Sequence, residues 1–271
     1  FLPGYNFPAL PVRAFVAGDG EGEFIARPRF LAINEFGPDN VIYHEGAKHQ
    51  VNRVLLPAQD PEKLLVRAKV CRLCGYLHEG EAVHDERCHN CEALLETTGD
   101  HIANLLEIAN VGTQRRDRIT SDEEERMRRG YDILTNYRFA EDTNGQPRRR
   151  RAKTYATGDA TEDKQPLLEL TYAPAATLWR INHGWRRSPD RKGYRLDLRS
   201  GRWIGQNGED DGDAATGQNT AGPEIKPGVR LFVRGTANVL LVYPHGVDEA
   251  ALKNPSFLPS LQYALGRGIQ E

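Results

Sequence analysis

The sequence predicts an α+β chain, mainly antiparallel sheet with a four-cysteine zinc-ribbon-like module and a few helices. Three observations predict it: a succession of short β-like runs, two closely spaced cysteine pairs and one strongly capped helix. The runs cover residues 12–16, 41–44, 50–55, 65–70, 153–156, 168–172, 177–182, 194–198 and 229–233. Their β-branched and aromatic residues suit a pleated, half-buried surface, and turn-forming residues punctuate the chain between them. Gly18-Asp19-Gly20-Glu21-Gly22 reads as one such turn, because the lysine and following helix of a phosphate loop are missing. The helix follows Thr120. Ser121 caps it, Asp122, Glu123, Glu124 and Glu125 crowd its first turn, Arg126, Arg128 and Arg129 fill its last, and Gly130 ends it. That charge order complements the helix dipole and needs no ligand to explain it.

The cysteines carry the strongest chemical signal. The chain has four, arranged as Cys71-x2-Cys74 and Cys88-x2-Cys91 with residues 75–87 between the pairs. A tight turn between paired cysteines aims two thiolates at one point, and two such knuckles complete a tetrahedral Zn²⁺ site. Arg72-Leu73 and His89-Asn90 fill the turns, and Gly75 relaxes the first. Disulfide pairing is the competing reading; the lack of a signal peptide or glycosylation sequon favours a reducing, cytoplasmic setting and a metal. Four thiolates leave no position for water, so the zinc is read as structural. His78, His84 and His89 lie nearby, but the cysteines already complete the shell.

The 271 residues, 39% hydrophobic with net charge −2, fit one large or two moderate domains with a real core. A nucleic-acid surface would therefore be a local patch. Three clusters supply candidates: Arg115, Arg116 and Arg118; Arg148, Arg149, Arg150, Arg151 and Lys153; and Trp185, Arg186 and Arg187 with Arg191 and Lys192 beyond. Their cations suit phosphates, while Trp179, Trp185, Tyr194 and Trp203 offer rings on which bases can stack. The plainer alternatives are an exposed hairpin flank beside Asn144-Gly145 for the arginine run and core positions for the tryptophans.

Autonomous ATP hydrolysis is excluded, because no Gly-x4-Gly-Lys-Ser/Thr loop exists. Asp248-Glu249 superficially suggests a magnesium-binding box, but Pro244, His245 and Gly246 break the preceding apolar run. No persuasive nucleophile–base pair appears, so the catalytic assignment is none. The acidic, glycine-rich stretch 206–228 lacks the closing glutamate of a calcium loop and reads as a mobile insertion. The chain begins at Phe1 and stops soon after the helix-patterned segment 257–265, which reads as a piece of a longer polypeptide.

Several segments together resemble a known family. Leu2-Pro3-Gly4-Tyr5-Asn6-Phe7-Pro8 is similar to the segment that follows the second motor domain in a group of superfamily 2 DNA helicases. The cysteine pairs, the stretch from Arg118 to Arg126 and the ending 256–268 resemble the zinc-binding C-terminal (MZB) domain of MrfA-type helicases. Within that group the combination looks most like the DrmA-type helicase subunits of the DISARM anti-phage system; the DrmB-type partner subunits carry a related domain. The resemblance implies ATP-dependent movement on DNA, with ATP and Mg²⁺ held by upstream motor domains and the zinc region contacting DNA or a partner subunit. Only the four cysteines carry over as site residues. The implied organisation is a post-motor segment at 1–62, a zinc-binding domain at 63–205, the acidic loop at 206–228, and C-terminal strands with a helix start at 229–271. A non-enzymatic zinc scaffold and a zinc-ribbon transcription or RNA-processing factor are the alternatives.

Overall fold

The computed structural model describes residues 10–17, 22–57, 60–118, 130–155, 165–186, 193–205 and 222–270. The chain forms two compact units, one from residues 1–138 with 177–236 and the other from 139–176 with 237–271. The Leu2–Pro8 motif, the capped helix after Ser121, Arg187, Arg191, Lys192 and most of the acidic stretch lie outside the described residues.

In the larger unit, β1 (Val12–Val16), β2 (Glu23–Arg27), β3 (Val41–His44), β4 (Ala47–Val54) and β8 (Val111–Arg118) form a sheet in the order β2-β1-β8-β4-β3. The period-2 pattern of β1 buries Val12, Ala14 and Val16 and turns Arg13 outward. Helix α1 (Arg29–Glu35) presents Ala32 and Ile33, followed by Phe36, to Val12, Ala14, Val51 and Val111. These apolar side chains make the first core.

A second sheet runs β11-β14-β7-β5-β6, from β5 (Leu65–Cys71), β6 (Leu77–Glu79), β7 (Gly99–Glu107), β11 (Leu168–Trp185) and β14 (Ile225–Pro244), the last two contributing 177–185 and 225–236 to this unit. Strand β9 (Tyr131–Arg138) pairs with β11, and β12 (Tyr194–Asp197) pairs with both β13 (Trp203–Ile204) and β14. Trp179, Ile181, Phe232, Leu105, Ile102, Leu77, Val70 and Ala68 fill its core. Most pairings are antiparallel, but β1–β8 and β7–β14 are parallel, so both sheets are mixed. Parallel neighbours need long crossovers. Here the chain leaves β1 and returns as β8 only after the cysteine module has been built, and β14 joins β7 after a similarly long excursion.

The smaller unit pairs β10 (Arg150–Thr154) antiparallel with the first part of β11, Leu168 to Tyr172. The sequence runs 168–172 and 177–182 are one strand, with Ala175 in the left-handed region between them. Asp248 caps α3 (Glu249–Lys253), which follows the four-residue α2 (Leu95–Thr98) of the larger unit in chain order, by accepting from the Ala251 N–H at 2.6 Å. That capping role accounts for an acid after an apolar run without any magnesium. Helix α4 (Phe257–Gln270) half-buries Phe257, Leu261 and Leu265, one side chain per turn.

Candidate metal centre

Two backbone knuckles of the same design present the cysteines. Strand β5 ends at Cys71, whose N–H donates to the Tyr76 carbonyl while its own carbonyl accepts from Gly75 N–H. Six residues, Cys71 to Tyr76, define the unit. It recurs from Cys88, whose N–H donates to the Ala93 carbonyl and whose carbonyl accepts from Glu92 N–H. In each knuckle the residue after the second cysteine takes a positive φ, +75° at Gly75 and +61° at Glu92. Glycine does this without penalty; glutamate does not. Replacing exposed Glu92 with glycine should therefore stabilise the module by on the order of 0.5–1 kcal/mol, read as a shift in its denaturation midpoint. A loss of stability would show that the Glu92 side chain holds the turn.

The four Sγ atoms lie within 4.8 Å of one another. Cys71 and Cys91 are 3.7 Å apart and Cys74 and Cys88 3.6 Å, and all four are free of disulfides. A tetrahedron of metal–sulfur bonds of about 2.3 Å has edges of about 3.8 Å, so these separations suit a shared ion. The cluster can hold a metal ion. The hydrogen bond that the Cys74 thiol donates to Cys88 Sγ and then burial both push Cys74 upward, and burial does the same for Cys91. Four thiols so placed cannot all ionise unless a cation neutralises them.

A second layer fixes the knuckles, and only the fold reveals it. Tyr137 on β9 donates its hydroxyl to the Cys74 carbonyl and accepts from Asn90 Nδ2, both at 2.9 Å, so it ties the two knuckles together. Burial, then Cys74, raise its pKa and keep the hydroxyl protonated as a donor. Asn136 Nδ2 adds a bond to the Gly75 carbonyl. Tyr137 is 46 residues from Cys91 in sequence, so no local motif announces it.

The described basic candidates are divided between the two units. Arg115 is exposed and Arg116 half-buried on β8, where Arg116 donates to Gln50 at 2.8 Å; of Arg118 only the backbone is described. These lie in the larger unit with Trp185 and Arg186, whereas Arg148 to Lys153 belong to the smaller. Trp185 stacks on Tyr131 with centroids 4.7 Å apart, Tyr194 is buried, and Trp179 is 1% exposed. Trp179 is thus a core residue and cannot stack a base. In the smaller unit Asn144-Gly145 closes a tight turn, with Asp142 N–H donating to Gln146 and Asp142 Oδ1 accepting from Asn144 and Gln146. Beyond it Arg148, Arg150, Arg151 and Lys153 are exposed, while the Arg149 guanidinium sits over the Phe139 ring at 5.2 Å. Among the described residues no helix is long and apolar enough to cross a membrane. Neither protein-family models, curated proteins nor solved structures yield a match to this chain.

Proposed function

We propose that this chain is the zinc-braced accessory region of an ATP-dependent DNA helicase of the MrfA type, close to the DISARM helicase subunits, working in the cytoplasm. The motor domains of the parent protein supply ATP and Mg²⁺ chemistry; this region contributes binding and rigidity. Zinc is the assignment for the four thiolates, because a closed tetrahedral sulfur shell suits that ion and leaves no position for a substrate. The metal crosslinks two loops that a small local core could not hold.

The observation that carries the DNA reading is the run of exposed cations on and before β10: Arg148, Arg150, Arg151 and Lys153 within six positions. Glu169 lies 4.0 Å from Arg151. Phosphate contacts release counterions, so their loss has a salt signature that protein docking lacks. Arg148→Glu with Arg150→Glu and Arg151→Glu should weaken duplex binding and lower the slope of log K against log salt by about 3, roughly 0.9 per contact. Titrations at several salt concentrations check this. Unchanged affinity and slope would favour the second reading, a DrmB-type scaffold subunit in which the module docks protein only.

A further inference from the structure

We propose that His78, Asp85 and His89 form a second, separate divalent-cation site of two imidazoles and one carboxylate. Their ligand atoms lie within 4.8 Å of one another. Three local structures bring them together: β6 carries His78, Asp85 follows the 3-10 turn Gly80–His84, and His89 sits in the second knuckle between Cys88 and Asn90.

The independent pointer to a ligand is His78. Its residue is 1% exposed, yet neither Nδ1 nor Nε2 has a hydrogen-bond partner. A buried imidazole with both nitrogens unmatched carries a desolvation cost that a metal bond would remove. Its ring lies 4.9 Å from that of His89, edge to face, and the Tyr76 ring flanks both. His89 Nε2 and Asp85 Oδ2 are hydrogen-bonded at 2.6 Å. An ion displaces the proton between them and, in a tetrahedral shell, needs the pair to part to about 3.4 Å at bond lengths near 2.1 Å. Both side chains are a little over two-fifths exposed, so that adjustment is open to them.

Charge bears on the site from both sides. Lys69 donates to the Asp85 carbonyl at 3.2 Å and opposes a second cation. The Asp85 carboxylate and the net −2 of a zinc–tetrathiolate beside His89 oppose Lys69. Imidazole with carboxylate selects Zn²⁺ or a neighbouring first-row divalent ion over Ca²⁺ or Mg²⁺. Unlike the closed thiolate shell, three protein ligands, with Asp85 half-buried and His89 exposed, leave a position for water.

Cobalt(II) titration of the reduced, metal-stripped chain distinguishes the sites, because thiolate-to-cobalt charge transfer reports the cysteines alone. Two equivalents should bind, with the charge-transfer band saturating at one. Asp85→Asn, at a half-buried position, and His89→Gln, at an exposed one, should each weaken the second equivalent at least tenfold and leave the band intact. Binding of a single equivalent by the native chain would overturn the proposal. So would a second equivalent that both variants retain.

Discussion

With zinc at the four thiolates, as proposed, Cys71→Ser is expected to abolish metal binding and unfold the segment from Cys71 to Ala93, the largest local effect any single substitution here should have. Cys71 is fully buried, ends β5 and supplies one of four thiolates. Serine keeps the volume but offers a hydroxyl that does not ionise at neutral pH, so both charge balance and coordination fail. Structural zinc sites hold apparent folding free energies of about 10–16 kcal/mol in small peptides, comparable to the whole stability of a domain. The interior of the module offers little in exchange. Besides Cys71 its buried apolar residues are Tyr76, Leu77, Val83 and Cys88, of which Leu77 packs into the core of the second sheet, and the knuckle hydrogen bonds fix turns without burying area. Metal analysis with limited proteolysis checks the result: the variant should lose its metal and be cut within residues 71–93. Full metal content with unchanged protease resistance would remove the structural role assigned to the cysteines.

The cysteine knuckles were legible because their chemistry is local: two residues between each pair, in a chain with no other cysteine. Short runs rich in β-branched and aromatic residues were legible too; β1 and β3 match residues 12–16 and 41–44. Strands β7, β8 and β9 were not. Asp100, His101 and Asn104 interrupt β7, and Asn104 has a positive φ near the register shift against β5. Polar Gln114, Arg115 and Arg116 make β8 read as a basic cluster, yet its backbone pairs with β1 and β4. For such segments, partners far along the chain decide the structure and intrinsic preference does not. The same reasoning separates the cysteines from Tyr137 and His78. Their roles at the candidate sites exist only once β9 and β6 have brought them to the knuckles.

Trp179→Ala should cost the larger unit about 3–5 kcal/mol, a third or more of what a domain of this kind has to lose. The indole is 1% exposed and stacks on Phe232 with centroids 4.5 Å apart and planes 24° from parallel. Ala68, Val70, Leu77, Ile102, Leu105 and Ile181 share its core. Truncation removes the largest side chain of that cluster and leaves a cavity that sheet backbones on either side cannot collapse to fill. Trp179→Phe is the informative companion. The indole Nε1 has no hydrogen-bond partner, so phenylalanine gives up volume but no hydrogen bond and should cost well under half as much, about 1–2 kcal/mol. Urea denaturation of both variants checks this order, with Tyr263→Ala on α4, 73% exposed, expected to fall within about 0.5 kcal/mol of the native protein. If Trp179→Ala instead kept full stability while DNA affinity fell, the tryptophan would have to face a ligand, and the core built around it would be wrong.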